Sequence, residues 1–81
     1  MKRVIRLKEA LALAPMNECV FRRLTKQRHW WRYGWASGYI ELRLDDCLAP
    51  VTSKLFRQAL TNGYVAGSKA RSEHDAAQGA T

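Results

Sequence analysis

No stretch of this sequence approaches the roughly 20 apolar residues that a membrane-spanning helix requires, so none is expected. Cysteine is scarce as well. Cys19 and Cys47 are the two in the chain, they form no CxxC pair, and neither lies at metal-ligand spacing from His29 or His74. A zinc site and a disulfide framework are thereby set aside, and both thiols read as reduced and buried. The opening Met1 to Arg6 is cationic, yet Lys8 and Glu9 interrupt the apolar stretch behind it, so the continuous core of a signal peptide is missing. The expected setting is cytoplasmic.

Acidic residues are the other shortage. Seven Asp and Glu stand against fourteen Lys and Arg, leaving a formal charge of +7. Residues 1–43 hold ten basic and three acidic side chains, whereas residues 44–81 hold four of each, so the whole excess sits in the first half. A polyanion releases counterions on meeting such a surface, which makes nucleic acid the first partner to consider. With 81 residues the chain has room for one core, because so short a domain buries only about 60% of the surface exposed by its unfolded chain.

Val4 and Ile5 read as a short strand or an extended lead-in, after which Leu7, Ala10, Leu11 and Ala14 recur as one face of a helix ended by Pro15. Asn17 is placed to cap a second helix over residues 18–27, with Val20, Phe21 and Leu24 as its apolar stripe. This is helix-turn-helix spacing. At 100° per residue, Glu18, Arg22 and Lys26 line up opposite Val20 and Leu24, with Arg23 at the margin.

From Arg28 to Leu44 the aromatic run Trp30, Trp31, Tyr33 and Trp35, followed by the alternation of Ile40, Leu42 and Leu44 with Glu41 and Arg43, predicts a two-stranded hairpin. Ala36-Ser37-Gly38 is its expected turn. Asp45 or Asp46 caps a short helix interrupted by Pro50; Thr52 or Ser53 caps another, which Asn62-Gly63 closes. The fold expected is α+β, a small winged helix-turn-helix with a β-hairpin wing over residues 1–66. Residues 67–81 lack large apolar side chains and read as a disordered tail.

The segment from Arg22 to Arg32 holds five of the fourteen basic residues and no acidic one. Arg22, Lys26 and Gln27 are long enough to reach phosphates or base edges, and Arg28 and Arg32 stand at the start of the hairpin. Trp31, Tyr33 and Trp35 are expected to pack the hairpin onto the helices, since rings supply apolar area where aliphatic residues are few. Catalysis has little to build on: neither His29 nor His74 has a nucleophile at motif spacing, and Asp45-Asp46 reads as a cap. No enzymatic activity, cofactor or metal is expected.

Ile5-Arg6-Leu7-Lys8-Glu9 with Val20-Phe21-Arg22-Arg23-Leu24, and Pro50-Val51-Thr52 with Leu55 and Asn62-Gly63, resemble segments of the phage excisionase group, small winged-helix proteins related to the MerR-type DNA-binding domain. These motifs cover about a third of the chain, and His29-Trp30-Trp31-Arg32-Tyr33 departs from the proline-rich approach to the wing often found in that group. The resemblance implies an architectural protein that binds double-stranded DNA beside a phage attachment site, bends it and directs an integrase toward excision, with further copies assembling along the DNA. It puts Arg22, Arg23 and Lys26 in the major groove and Arg32 with the 35–38 turn near the minor groove. Residues after Thr52, with Lys54, Arg57 and Gln58 foremost, would face a protein partner. The other readings are a small phage or plasmid transcriptional regulator, a basic inhibitor of an acidic host factor, and a binder of RNA or single strands through its Trp and Tyr rings.

Overall fold

The computed structural model describes residues 5–21 and 25–79, and within them every regular element is a helix. Helix α1 spans Leu7–Leu13, a 3₁₀ turn follows at Met16–Glu18, and α2 (Thr25–Tyr39), α3 (Leu44–Leu48) and α4 (Lys54–Gly79) complete the chain. Among the described residues there is no strand. The wing over residues 28–44, and with it the α+β winged helix-turn-helix, is therefore corrected to an all-helical fold.

The reason lies in two spacings of four. Trp31, Trp35 and Tyr39 recur at helical intervals and are all buried, with the Trp35 and Tyr39 rings stacked at 4.9 Å. Gly34 and Gly38 recur on a neighbouring face, and Gly63 and Gly67 do the same on α4. A Cβ at Gly34 would collide with the Leu60 carbonyl and one at Gly38 with the Tyr64 carbonyl. Likewise, Gly63 abuts the Trp31 carbonyl and Gly67 the Trp35 carbonyl. Both helices bring backbone to backbone, a contact that only glycine permits and that aims Cα–H groups at carbonyl oxygens. A pleated strand would scatter the glycines and rings over both of its faces, and the strand preference of aromatic residues is weak enough for packing to override it.

The same pairs give direction. Four residues forward on α2 are matched by four residues forward on α4, so the two helices run parallel. Parallel neighbours need a crossover, and residues 40–53, carrying α3, supply it. Helix α1 and the segment to Phe21 cover one side of the pair, where Ala10, Cys19, Trp31, Trp35, Ala36 and Tyr39 form the main core. On the α3 side, Cys47, Val51 and Leu60 form a second cluster with Trp30, Tyr33, Leu44, Leu48 and Phe56 packed against it. Both cysteines are free and buried, one in each cluster.

Three further expectations change. Asn62-Gly63 does not stop a helix, because Gly63 has ordinary helical φ and serves the contact with Trp31. Residues 67–79 are helical as the continuation of α4, so the expected boundary between domain and disordered tail falls inside a helix. The second helix expected over residues 18–27 is also absent in that form: Glu18 closes the 3₁₀ turn, which contains Asn17, and Lys26 belongs to α2. Ser53 does cap α4, accepting a hydrogen bond on Oγ from the Phe56 amide at 3.5 Å.

Candidate nucleic-acid interface

Long helix ends leave carbonyls without partners, and three arginines answer that need here. Arg32 Nε donates to the Leu11 carbonyl at 2.8 Å, near the end of α1. Arg57 NH1 donates to the carbonyls of Leu48 and Val51, closing α3. Arg71 NH1 donates to the Tyr39 carbonyl at 3.1 Å, closing α2, while its Nε pairs with Asp75 at 3.1 Å. Each places a cation at the negative end of a helix, where the macrodipole favours it. Two residues expected to bind ligands, Arg32 and Arg57, thus hold the fold together.

The remaining cations collect elsewhere. The pairing of Gly34 with Leu60 and of Trp31 with Gly63 sets Thr25 and Lys54, the first residues of α2 and α4, at about the same height. The described part of α2 therefore begins level with the start of α4, and neither has an acidic residue in its first described turn. Each end carries roughly half a positive charge from its peptide dipoles. Lys26, His29 and Lys54 are exposed at this end, and Arg28 and Gln27 are half-buried. Lys26, Arg28 and Lys54 make no ion pair with any described residue.

Of the residues expected to meet DNA, Lys26, Gln27 and Arg28 therefore share one end of the molecule, and Arg32 lies a turn farther along α2, held by α1. Arg22 and Arg23 lie outside the described residues. The stripe of Glu18, Arg22 and Lys26 is not realised as one helix face, since Glu18 and Lys26 belong to different elements. Lys54, expected to face a protein, stands at the same end as Lys26; Gln58 is exposed one turn on. Nor is α2 free to enter a groove along its length, because residues 34–39 are buried on every side. The sequence reading did not bring Lys54 level with Lys26; the repeated Gly-x-x-x-Gly of residues 34–38 and 63–67 was the signal for that placement.

At the far end of α2 a shallow hollow of about 170 Å³ is lined by Gly38, Glu41, Tyr64, Ser68, Arg71 and Ser72. No helix among the described residues is long and apolar enough to cross a membrane. No family model matches the chain, and neither the curated proteins nor the solved structures include one similar to it.

Proposed function

We propose that this protein is a non-enzymatic DNA-binding protein that grips the phosphate backbone with the amino ends of its parallel helix pair. The observation carrying the reading is the coincidence at one end of two helix amino termini without first-turn acids and of Lys26, Arg28 and Lys54 without ion-pair partners among the described residues. Amide groups at a helix start, helix dipoles and lysine or arginine side chains are the donors that phosphate oxygens accept from. The charge excess of the first half supports a polyanion over a small neutral ligand. The narrower excision role leaned on a minor-groove wing; with helix α2 in the wing's place, it is not carried into the proposal.

Binding of a labelled duplex, followed by anisotropy across a salt series, tests this. Affinity should fall steeply with salt, and Lys26→Ala, Arg28→Ala and Lys54→Ala should each flatten the log–log slope by about one while weakening binding to unrelated sequences alike. Absence of binding at low salt would overturn the proposal. Equal losses on replacing Lys69 and Glu73, exposed far along α4 from this end, would show that the end is not the site.

A further inference from the structure

Building on DNA binding at the amino end, we infer that this end also takes up unpaired bases, stacking them against Trp30 and His29, so that single-stranded DNA is its preferred ligand. The three tryptophans are not equivalent. Trp31 and Trp35 are each 4% exposed in the main core, whereas Trp30 is only half-buried. Around Trp30 stand His29 at 5.5 Å and 80°, Tyr33 at 5.9 Å and 84°, and Phe56 at 6.1 Å and 26°. Four rings from two helices thus form one contiguous group, and His29 on its edge is exposed.

Their position gives the group its meaning. His29 and Trp30 follow Lys26 by about one turn of α2 and come directly after Arg28, and Phe56 lies in the first turn of α4 beside Lys54. Leu55, 60% exposed, adds apolar surface there. Trp30, Tyr33 and Phe56 rest on one side against the cluster of Cys47, Val51 and Leu60, but phosphate contact alone gives the exposed His29, Leu55 and the open part of Trp30 no partner, because a duplex turns its phosphates outward and hides the faces of its bases. A single strand offers both, negative charge along the backbone and π-faces that stack on aromatic side chains regardless of sequence. Cations interleaved with rings match that ligand.

The full chain should be titrated with a single-stranded oligonucleotide and with the matching duplex at one salt concentration, following both anisotropy and tryptophan emission. The single strand is expected to bind about fivefold or more tightly, in keeping with the contribution of one stacked base, and to quench part of the emission. Trp30→Phe should remove the quenched part and leave the emission of Trp31 and Trp35. His29→Ala, at an exposed position outside both cores, should weaken single-strand binding while sparing the duplex, and it remains informative if Trp30 variants fold poorly. Duplex binding as tight as single-strand binding, without quenching, would overturn this inference and leave phosphate binding intact. No binding of either oligonucleotide would overturn both, as would a Trp30 response only to phosphatidylserine vesicles, which would assign the end to a lipid surface.

Discussion

At Glu41 the backbone φ is 65°, in the left-handed region that side chains other than glycine rarely adopt. The residue follows α2, with its amide donating to the Gly38 carbonyl and the Leu42 amide donating to the Ser37 carbonyl. That pair of bonds is the Schellman ending, whose left-handed position glycine fills at least cost. Glu41→Gly should therefore raise stability by about 0.5–1 kcal/mol, the relief of left-handed strain less the added chain entropy; unchanged or lower stability in urea unfolding would contradict it. Gly63 presents the opposite case. Its missing Cβ lets α4 lie against the Trp31 carbonyl, and backbone has no rotamer by which to make room. Gly63→Ala is expected to cost about 3 kcal/mol, as overpacking of a tight core does, and chemical denaturation of the variant measures it directly. Tyr64 works at longer range, its hydroxyl donating to the Leu42 carbonyl at 2.6 Å and holding the crossover onto α4.

Helix α4 outlasts its partner. Set against the register of the pair, it continues past Tyr39 by roughly ten residues, ~15 Å at the rise of an α-helix. No large apolar side chain lies beyond residue 67, which is why the sequence there reads as a tail. Its hold comes from Ala66 and Ala70 against the main core, and from Arg71, which reaches the Tyr39 carbonyl and Asp75 and lies 5.6 Å from the centre of the Tyr39 ring. Short isolated helices are marginal in water, so such tethers decide whether this one persists. Arg71→Ala should raise amide exchange over residues 72–79 at least tenfold while leaving residues 31–38 protected. Uniform loss of protection across the chain would show instead that Arg71 supports the whole fold. Ser37 illustrates satisfaction inside an element: wholly buried, it donates its hydroxyl proton to the Tyr33 carbonyl at 2.8 Å.

Over the whole molecule the parallel arrangement aligns the dipoles of α2 and α4, so one end is positive by backbone as well as by side chain. At the other end Arg71 offsets the carbonyl terminus of α2, with Glu41 lining the same hollow and Asp75 paired to the guanidinium. A molecule polarised in this way should orient as it approaches a polyanion, with an association rate that falls as salt screens the field. Stopped-flow measurements at two salt concentrations should show the rate constant dropping several-fold while dissociation changes less; a salt effect confined to dissociation would argue against steering. The two thiols report on integrity at this scale. Cys19 and Cys47, 2% and 5% exposed in separate clusters, should react with a thiol reagent only as fast as the fold opens, and denaturant should release both together if the two clusters unfold as one.

Much was legible from residues alone. The cationic first half, the first helix ended by Pro15, the serine cap at Ser53, the burial of Trp31 and Trp35 and the two buried thiols all follow from local chemistry or composition. The segment from residue 28 to 44 was not, because Trp, Tyr and Ile carry strand preference while their spacing of four, together with Gly34 and Gly38, carries helix, and local sequence does not rank the two. Gly63 and Gly67, some thirty residues away, settled the choice by offering a surface into which only a helix fits. The candidate site followed the same division. Sequence supplied the cations at Lys26 and Arg28 and the shortage of acids; the tertiary structure diverted Arg32 and Arg57 to capping carbonyls and brought Lys54 level with Lys26. Charge is a property of the chain, but which charges remain free to meet a ligand depends on which carbonyls the fold leaves without partners.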